Sequence, residues 1–196
     1  MHARKTRYRA VFARGGTSKA LLFHLADLPA DRAQWDAIFL SAMGSPDPYG
    51  RQLDGMGGGL SSLSKVCVIG PPTHPDADYA VRIFCPGREL PFAGHPTLGS
   101  AHAWLAAGGV PKSERIVQEC GVGLVTIRRD ADERLAFAAP PLLRSGPLDP
   151  ATLAEAADAL GIDAAAIVDS AWIDNGPGWL IVLLASAEEV LAIAPG

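Results

Sequence analysis

Cysteine is scarce in this sequence. Cys67, Cys85 and Cys120 stand far apart in 196 residues, with neither the paired spacing of a zinc site nor the even count of a disulfide framework. That pattern argues against a disulfide-stapled secreted domain and points to a reduced, cytoplasmic protein; no secretory signal sequence opens the chain. Basic blocks are missing as well. Seventeen Lys and Arg face 21 Asp and Glu, for a net charge of −4. The one local concentration, Arg4, Lys5, Arg7 and Arg9, alternates with Tyr8, Ala10 and Phe12. It reads as an edge strand with a solvated face, not as a nucleic-acid arm.

The longest absence is of charge. Nothing between Glu89 and Lys112 is charged. Prolines, glycines and two histidines in that run argue against a membrane span, so a buried helix is expected. Pro96 suits a first helical position. Leu98, Ala101, His102 and Leu105 keep helical spacing as the apolar stripe, with His102 a packed core residue. Gly99, Ser100, Ala103 and Ala106 make the opposite face small, and Gly108 and Gly109 supply the stop. Other elements must wrap such a helix. Its start, at His95-Pro96-Thr97, would present backbone N–H groups to an anion.

What is present fits a globular chain: 48% hydrophobic and 19% charged residues, enough core for one domain or one domain plus part of another. An alternating segment at 8–13 and an apolar strand at 20–25 flank a glycine-led turn at Arg14-Gly-Gly-Thr-Ser-Lys19. Asp31 can cap a helix over 32–43, with Gly44 as its stop. Residues 45–59 read as loop, 66–69 as strand, 70–78 as a proline-bearing connector, and 79–84 as strand. Short strands follow at 115–119, 122–128 and 134–138. A linker over 140–150 then leads to a helix over 152–160, a turn at 164–168, a broken strand over 172–184 and a helix over 187–193. Many short strands around few helices indicate an α+β fold. Residues 16–27 can be laid on 175–186, each a polar turn, an apolar strand and a helix-prone segment. On that reading the chain begins a second copy of its first half and stops far short of completing it.

Several residues suit proton chemistry on a carboxylate. Such chemistry needs a group of tunable pKa, a fixed anion clamp and exclusion of water. Lys65 lies in an uncharged neighbourhood before an apolar strand, where desolvation favours the neutral amine. His95 is a proton shuttle suited to neutral pH. Gly15, Gly16 and the glycines at 57–59 let backbone N–H groups approach a carboxylate, and Thr17, Ser18 and Ser64 add hydroxyls. Each has a plainer reading as surface, cap or turn. His74, Asp76 and Asp78 have metal-like spacing but sit in a proline-rich connector, where solvated side chains fit better. Cys85 and Cys120 read as small core residues. Ser62-Leu-Ser-Lys65 matches the Ser-x-x-Lys pattern of penicillin-recognising enzymes. The partner motifs Ser-Asp-Asn and Lys-Thr-Gly are missing, and a strand follows where a helix is needed. Gly94 and Gly99 have phosphate-loop spacing, but Ser100 stands where lysine is required.

Two blocks carry a family resemblance. Arg14-Gly-Gly-Thr-Ser-Lys19, Gly44-Ser-Pro-Asp-Pro-Tyr-Gly50, Gln52-Leu-Asp-Gly-Met-Gly-Gly58 and Ser61-Ser-Leu-Ser-Lys65 resemble the PrpF-type aconitate isomerases and tautomerases. From about Val81, Glu89-Leu-Pro-Phe-Ala-Gly-His-Pro-Thr-Leu-Gly99, Cys120-Gly-Val-Gly-Leu-Val125, Phe137-Ala-Ala-Pro140, Asn175-Gly-Pro and 184–191 resemble the PhzF-type isomerases of phenazine biosynthesis. The resemblance implies a diaminopimelate-epimerase-like fold, in which two lobes each wrap a sheet around a central helix and the active site lies between them. It implies a first lobe over 1–145, PrpF-like to 78 and PhzF-like from 79, and the start of a truncated second lobe over 146–196. PhzF-type relatives carry a glutamate where this chain has Lys65, the PrpF-type choice. PrpF-type relatives carry a cysteine where this chain has Gly94-His95-Pro96, the PhzF-type choice.

The expectation is therefore a cofactor-independent and metal-independent isomerase that moves a proton and a double bond within a small carboxylated metabolite. Lys65 and His95 handle the proton; Arg14, Gly15, Gly16, Thr17, Ser18, Ser64, Gly94 and Thr97 hold the substrate. The expected partners are that metabolite and a second copy of the chain, as a homodimer or by self-association, with no nucleic acid and no membrane. The competing expectation is an inactive fragment or a non-catalytic ligand-binding or dimerising module.

Overall fold

A computed structural model describes residues 6–16, 18–52, 54–59 and 64–194. The chain divides into two compact units, residues 1–139 and 140–196. In the first, eight strands among the described residues form one mixed sheet. β1 (Val11–Gly15) and β2 (Ser18–His24) make an antiparallel hairpin at one edge. β2 runs parallel to β3 (Ser64–Gly70), and β3 antiparallel to β4 (Tyr79–Cys85). The short β5 (Arg88–Leu90) folds back on β4 where the sequence had suggested only loop. β4 is parallel to β6 (Ile116–Cys120), which continues antiparallel into β7 (Gly123–Arg129) and β8 (Leu135–Phe137).

Strand alternation sorts side chains onto the two faces. On one face, Ala20, Leu22, Cys67, Ile69, Val81 and Ile83 form a core that includes Ala101 of the helix α2 (Gly94–Ala106). On the other, Leu21, Phe23, Val66, Val68 and Phe84 pack with Trp35, Phe39 and Met43 of the helix α1 (Trp35–Met43). The run Val66-Cys-Val-Ile69 is buried throughout because the sheet is covered on both sides. Asp31 caps a 3-10 turn over Arg32–Gln34 ahead of α1, so the α-helix begins three residues later than the sequence suggested. Gly44, at φ 75°, ends it as expected.

The central helix corrects two expectations. It starts at Gly94 with Ala93 as its cap, so Pro96 is the third helical residue, not the first. Its buried face is the small one, Pro96, Thr97, Gly99, Ser100 and Ala101. Leu98 and Leu105 are half-buried, and His102 is exposed, not a core residue. The reason is proximity. A methyl group on Gly15 of β1 would lie 3.3 Å from the Gly99 nitrogen, an approach that leaves no room for large side chains. Among the described residues no helix is long and apolar enough to cross a membrane.

In the second unit, β9 (Arg144–Gly146), β10 (Asp169–Asp174) and β11 (Leu180–Leu183) form an antiparallel sheet in the order β11-β10-β9. The segment 140–150 therefore contains a strand and is not merely a linker. α3 (Pro150–Leu160) starts with Asp149 accepting from Thr152 N at 3.0 Å and ends at Gly161, φ 67°. A 3-10 turn at Ala164–Ala166 and the short α4 (Ala187–Leu191) complete it.

Candidate functional site

The site builds from the β1–β2 hairpin meeting the first turn of α2. Gly15 lies so close to the helix that an added methyl would stand 2.4 Å from the His95 carbonyl oxygen. Gly16 turns the hairpin with φ +70°, and a methyl there would be 2.7 Å from His95 Nε2. On the other side of the ring, His95 Nδ1 and Ser18 Oγ are 3.2 Å apart. The half-buried imidazole is thus held between a hydroxyl and a bare glycine. Ala13, Gly15, Ser18, Lys19, Ala20, His95, Pro96 and Gly99 line a small cleft there.

Lys65 belongs to the same face. It pairs with Ala20 across the parallel strands β2 and β3. Ala20 and Cys67, two residues beyond Lys65, both pack on the α2 side, so alternation directs Lys65 there too. Ser18, on the same face of β2, is its diagonal neighbour. Lys65 is only 8% exposed. Burial lowers its pKa from the ordinary 10.5, against a smaller opposing effect of the thiols of Cys85 and Cys67. A desolvated amine thus lies on the sheet face that meets α2, and the imidazole stands in the first turn of that helix, whose N-terminus has no side-chain cap.

The structure does not bring every expected residue there. Ser64 points to the opposite face. Its buried hydroxyl donates to Gln52 Oε1 at 2.7 Å and accepts from Gly58 N at 2.5 Å. The glycines at 57–59 likewise serve the loop: Gly59 N donates to Gln52 Oε1 at 2.9 Å, and Gly57 N to the Met43 carbonyl at 3.1 Å. Thr97 has no exposure. Its amide donates to Ala93 O at 3.1 Å and its hydroxyl accepts from Gln118 Nε2 at 3.2 Å. Both side chains are engaged in hydrogen bonds within the fold. Arg14 is exposed, alternates away from α2, and donates from Nε to the Gly16 carbonyl at 3.1 Å. Gly94 opens the helix with the Phe137 ring against it, 2.9 Å from where a methyl would stand. Thr17 and Ser62 lie outside the described residues.

A buried polar cluster escaped the sequence reading. Tyr79, Thr97, Ser100 and Gln118 are at most 1% exposed and bonded to one another. The signal was Gln118 at an inward position between Ile116 and Cys120. A larger cavity of about 230 Å³ opens on the α1 face, beside Arg32, Phe39, Met43, Phe84 and Glu89. It is on the wrong side of the sheet for Lys65 and His95, and its Arg32 and Glu89 are paired with Asp36 and Arg82. His74 and Asp76 are exposed, as expected, but Asp78 is half-buried, its carboxylate accepting from Lys112 N at 2.8 Å and Val117 N at 2.7 Å; among the described residues no cluster of His, Cys, Asp and Glu could hold a metal ion.

Comparison with known proteins agrees with this architecture. Residues 60–196 match the phenazine biosynthesis-like proteins, and residues 5–84 match the PrpF proteins. The chain belongs to the phenazine biosynthesis-like family, with a PrpF-like N-terminal segment. It is 37% identical over 145 residues to "Antisense-enhancing sequence 1" of Schizosaccharomyces pombe, covering 69% of this chain and 48% of that protein. Its first part is 45% identical over 82 residues to the 2-methyl-aconitate isomerase of Cupriavidus necator, covering 39% of this chain and 20% of that enzyme. A PhzF-family phenazine biosynthesis protein from Bacillus anthracis shares the fold, with a TM-score of 0.66 at 14% identity over 97% of this chain and 60% of the other. The chain thus spans about half or less of the length of these two curated relatives. Its fold is the α+β, diaminopimelate-epimerase-like one, a mixed sheet around a helix.

Proposed function

We propose that this chain carries the acid/base machinery of a cofactor-independent isomerase, acting on a small carboxylated metabolite. The observation that carries the reading is Lys65, a buried amine of lowered pKa, on the face of the sheet where Ser18 holds His95. The neutral amine of Lys65 removes a proton from carbon beside an unsaturated carboxylate. The electron pair left behind delocalises toward the carboxylate, and the double bond moves as a proton returns at the far end of the conjugated system. His95 is the second proton-handling group. Gly15, Gly16 and Gly94 bring backbone close, Ser18 orients the ring, and Arg14 and Thr17 are the proposed contacts of a substrate carboxylate. The likeness to a 2-methyl-aconitate isomerase supports the substrate class.

The proposed setting is the cytoplasm, in keeping with three free thiols. The proposed partners are the metabolite and a second copy of the chain, since Trp179, Ile181 and Leu183 are about half exposed in the second unit. Neither nucleic acid nor membrane is a proposed partner, given the charge of −4.

The test is deuterium uptake from solvent into an aconitate-like or dihydroanthranilate-like substrate, followed by NMR. Exchange above background is expected, falling about a hundredfold or more in Lys65→Met and in His95→Asn. Binding of the substrate with no exchange would replace this reading by the non-catalytic ligand-binding module.

A further inference from the structure

We propose that Gln118 is a positioning residue that fixes the first turn of α2, and with it His95, in place on the sheet; this rests on the reading of His95 as a proton-handling group. Gln118 and Tyr79 are register partners across the parallel strands β4 and β6. Gln118 Oε1 accepts from the Tyr79 hydroxyl at 2.8 Å, and Nε2 donates to Thr97 Oγ1 at 3.2 Å. Ser100 Oγ stands 3.1 Å from the Thr97 carbonyl and 3.2 Å from Gln118 Oε1, its single proton serving one of them at a time. The Tyr79 ring is itself pinned under Trp104, with centroids 5.2 Å apart.

The geometry explains why polar groups are used at so buried a place. The helix face against the sheet is Gly99, Ser100 and Ala101, too small to interlock and so poor at resisting sliding or rotation. Directional bonds to Thr97 and Ser100, one turn apart, supply the missing register. They grip the helix two residues from His95, on its buried side. Ser18 and Gly15 meet the same turn from the β1–β2 hairpin. The imidazole is thus located by two independent clamps, and Gln118 is the residue on which three of the polar partners converge.

The experiment compares the full chain with Gln118→Leu, Tyr79→Phe and Ile69→Val, the last a residue of the same core that is not a strand partner of Gln118, serving as a control for general loosening. The readouts are the ring nitrogen signals of His95 in protein labelled with nitrogen-15 histidine, and the substrate deuterium exchange described above. Gln118→Leu is expected to move the His95 ring signals and to lower kcat about tenfold with KM little changed, because misplacement acts on the reacting geometry. Ile69→Val is expected to leave both as in the parent chain. His95 signals unchanged in a folded Gln118→Leu, or moved equally by Ile69→Val, overturn the proposal. If Gln118→Leu does not fold, Tyr79→Phe decides: it removes the closest donor to Gln118, and unchanged His95 signals in it are equally fatal. A parent chain without exchange activity defeats the isomerase reading alone, because the ring signals still report whether Gln118 places His95.

Discussion

Gly15 of the first strand lies directly against the His95 carbonyl, so that a methyl group there would stand 2.4 Å from the oxygen, while Gly99 one turn along the helix has nothing nearer than 4.0 Å. The two glycines therefore predict opposite outcomes. Gly15→Ala must push the hairpin off the helix and is expected to destabilise by about 2 kcal/mol. Gly99→Ala fits ordinary contact distance inside a helix and is expected to stabilise by roughly 0.5–1 kcal/mol. Urea unfolding followed by circular dichroism measures both; equal destabilisation by the two would contradict the close approach at Gly15.

Lys65 predicts a pH dependence of stability whose sign follows from its lowered pKa. Between the folded value and the ordinary 10.5, the unfolded chain binds more protons than the folded one at this site. Stability contributed by this residue therefore rises with pH across that window. Below the window folding carries the full penalty of burying the ammonium ion. Lys65→Met is expected to stabilise the protein most below the lowered folded pKa, with the gain shrinking as pH rises from there toward 10.5. Unfolding midpoints of the parent and variant at several pH values test this, and a gain that grew with pH would refute it.

The three thiols should differ in reactivity. Cys67 has no exposure, and burial pushes its pKa up to about 12, whereas Cys85 and Cys120 are partly exposed. Native iodoacetamide labelling at neutral pH is expected to leave Cys67 unmodified until the protein is unfolded, because the thiolate is the reactive form. Peptide mass spectrometry reads the pattern; early labelling of Cys67 would mean that β3 is open on its α2 side.

The other face of the sheet depends on Phe39. Its ring centroid lies 5.2 Å from that of Phe84, 5.6 Å from Phe23 and 5.8 Å from Trp35. Phe39→Ala is expected to cost about 3–5 kcal/mol, and Phe39→Leu far less. Thermal unfolding separates the two. A small loss in the alanine variant would show that α1 is not anchored through this residue.

Much of the fold was legible because strand and turn signals are local. The apolar runs of β2 and β3, and the stops at Gly44 and Gly161, follow from composition and backbone freedom. The grouping of Lys65 with His95 came from composition and resemblance; strand parity directs Lys65 to the sheet face that meets α2. Parity also divided neighbours that the sequence had grouped. Ser64 and Lys65 are adjacent in the chain, yet one ties down a loop and the other faces the helix.

By itself the sequence determined most of the strands, though not β5 or β9, and that the uncharged stretch would be a helix. Only the tertiary structure decided which side of that helix meets the sheet, and therefore that Thr97 belongs to a buried polar cluster and His102 to the surface. The physical reason is that hydrophobic periodicity measures where large apolar side chains recur. The choice of side at α2 was made by how closely two backbones can approach at Gly15 and Gly99, a property of paired surfaces that no single segment carries.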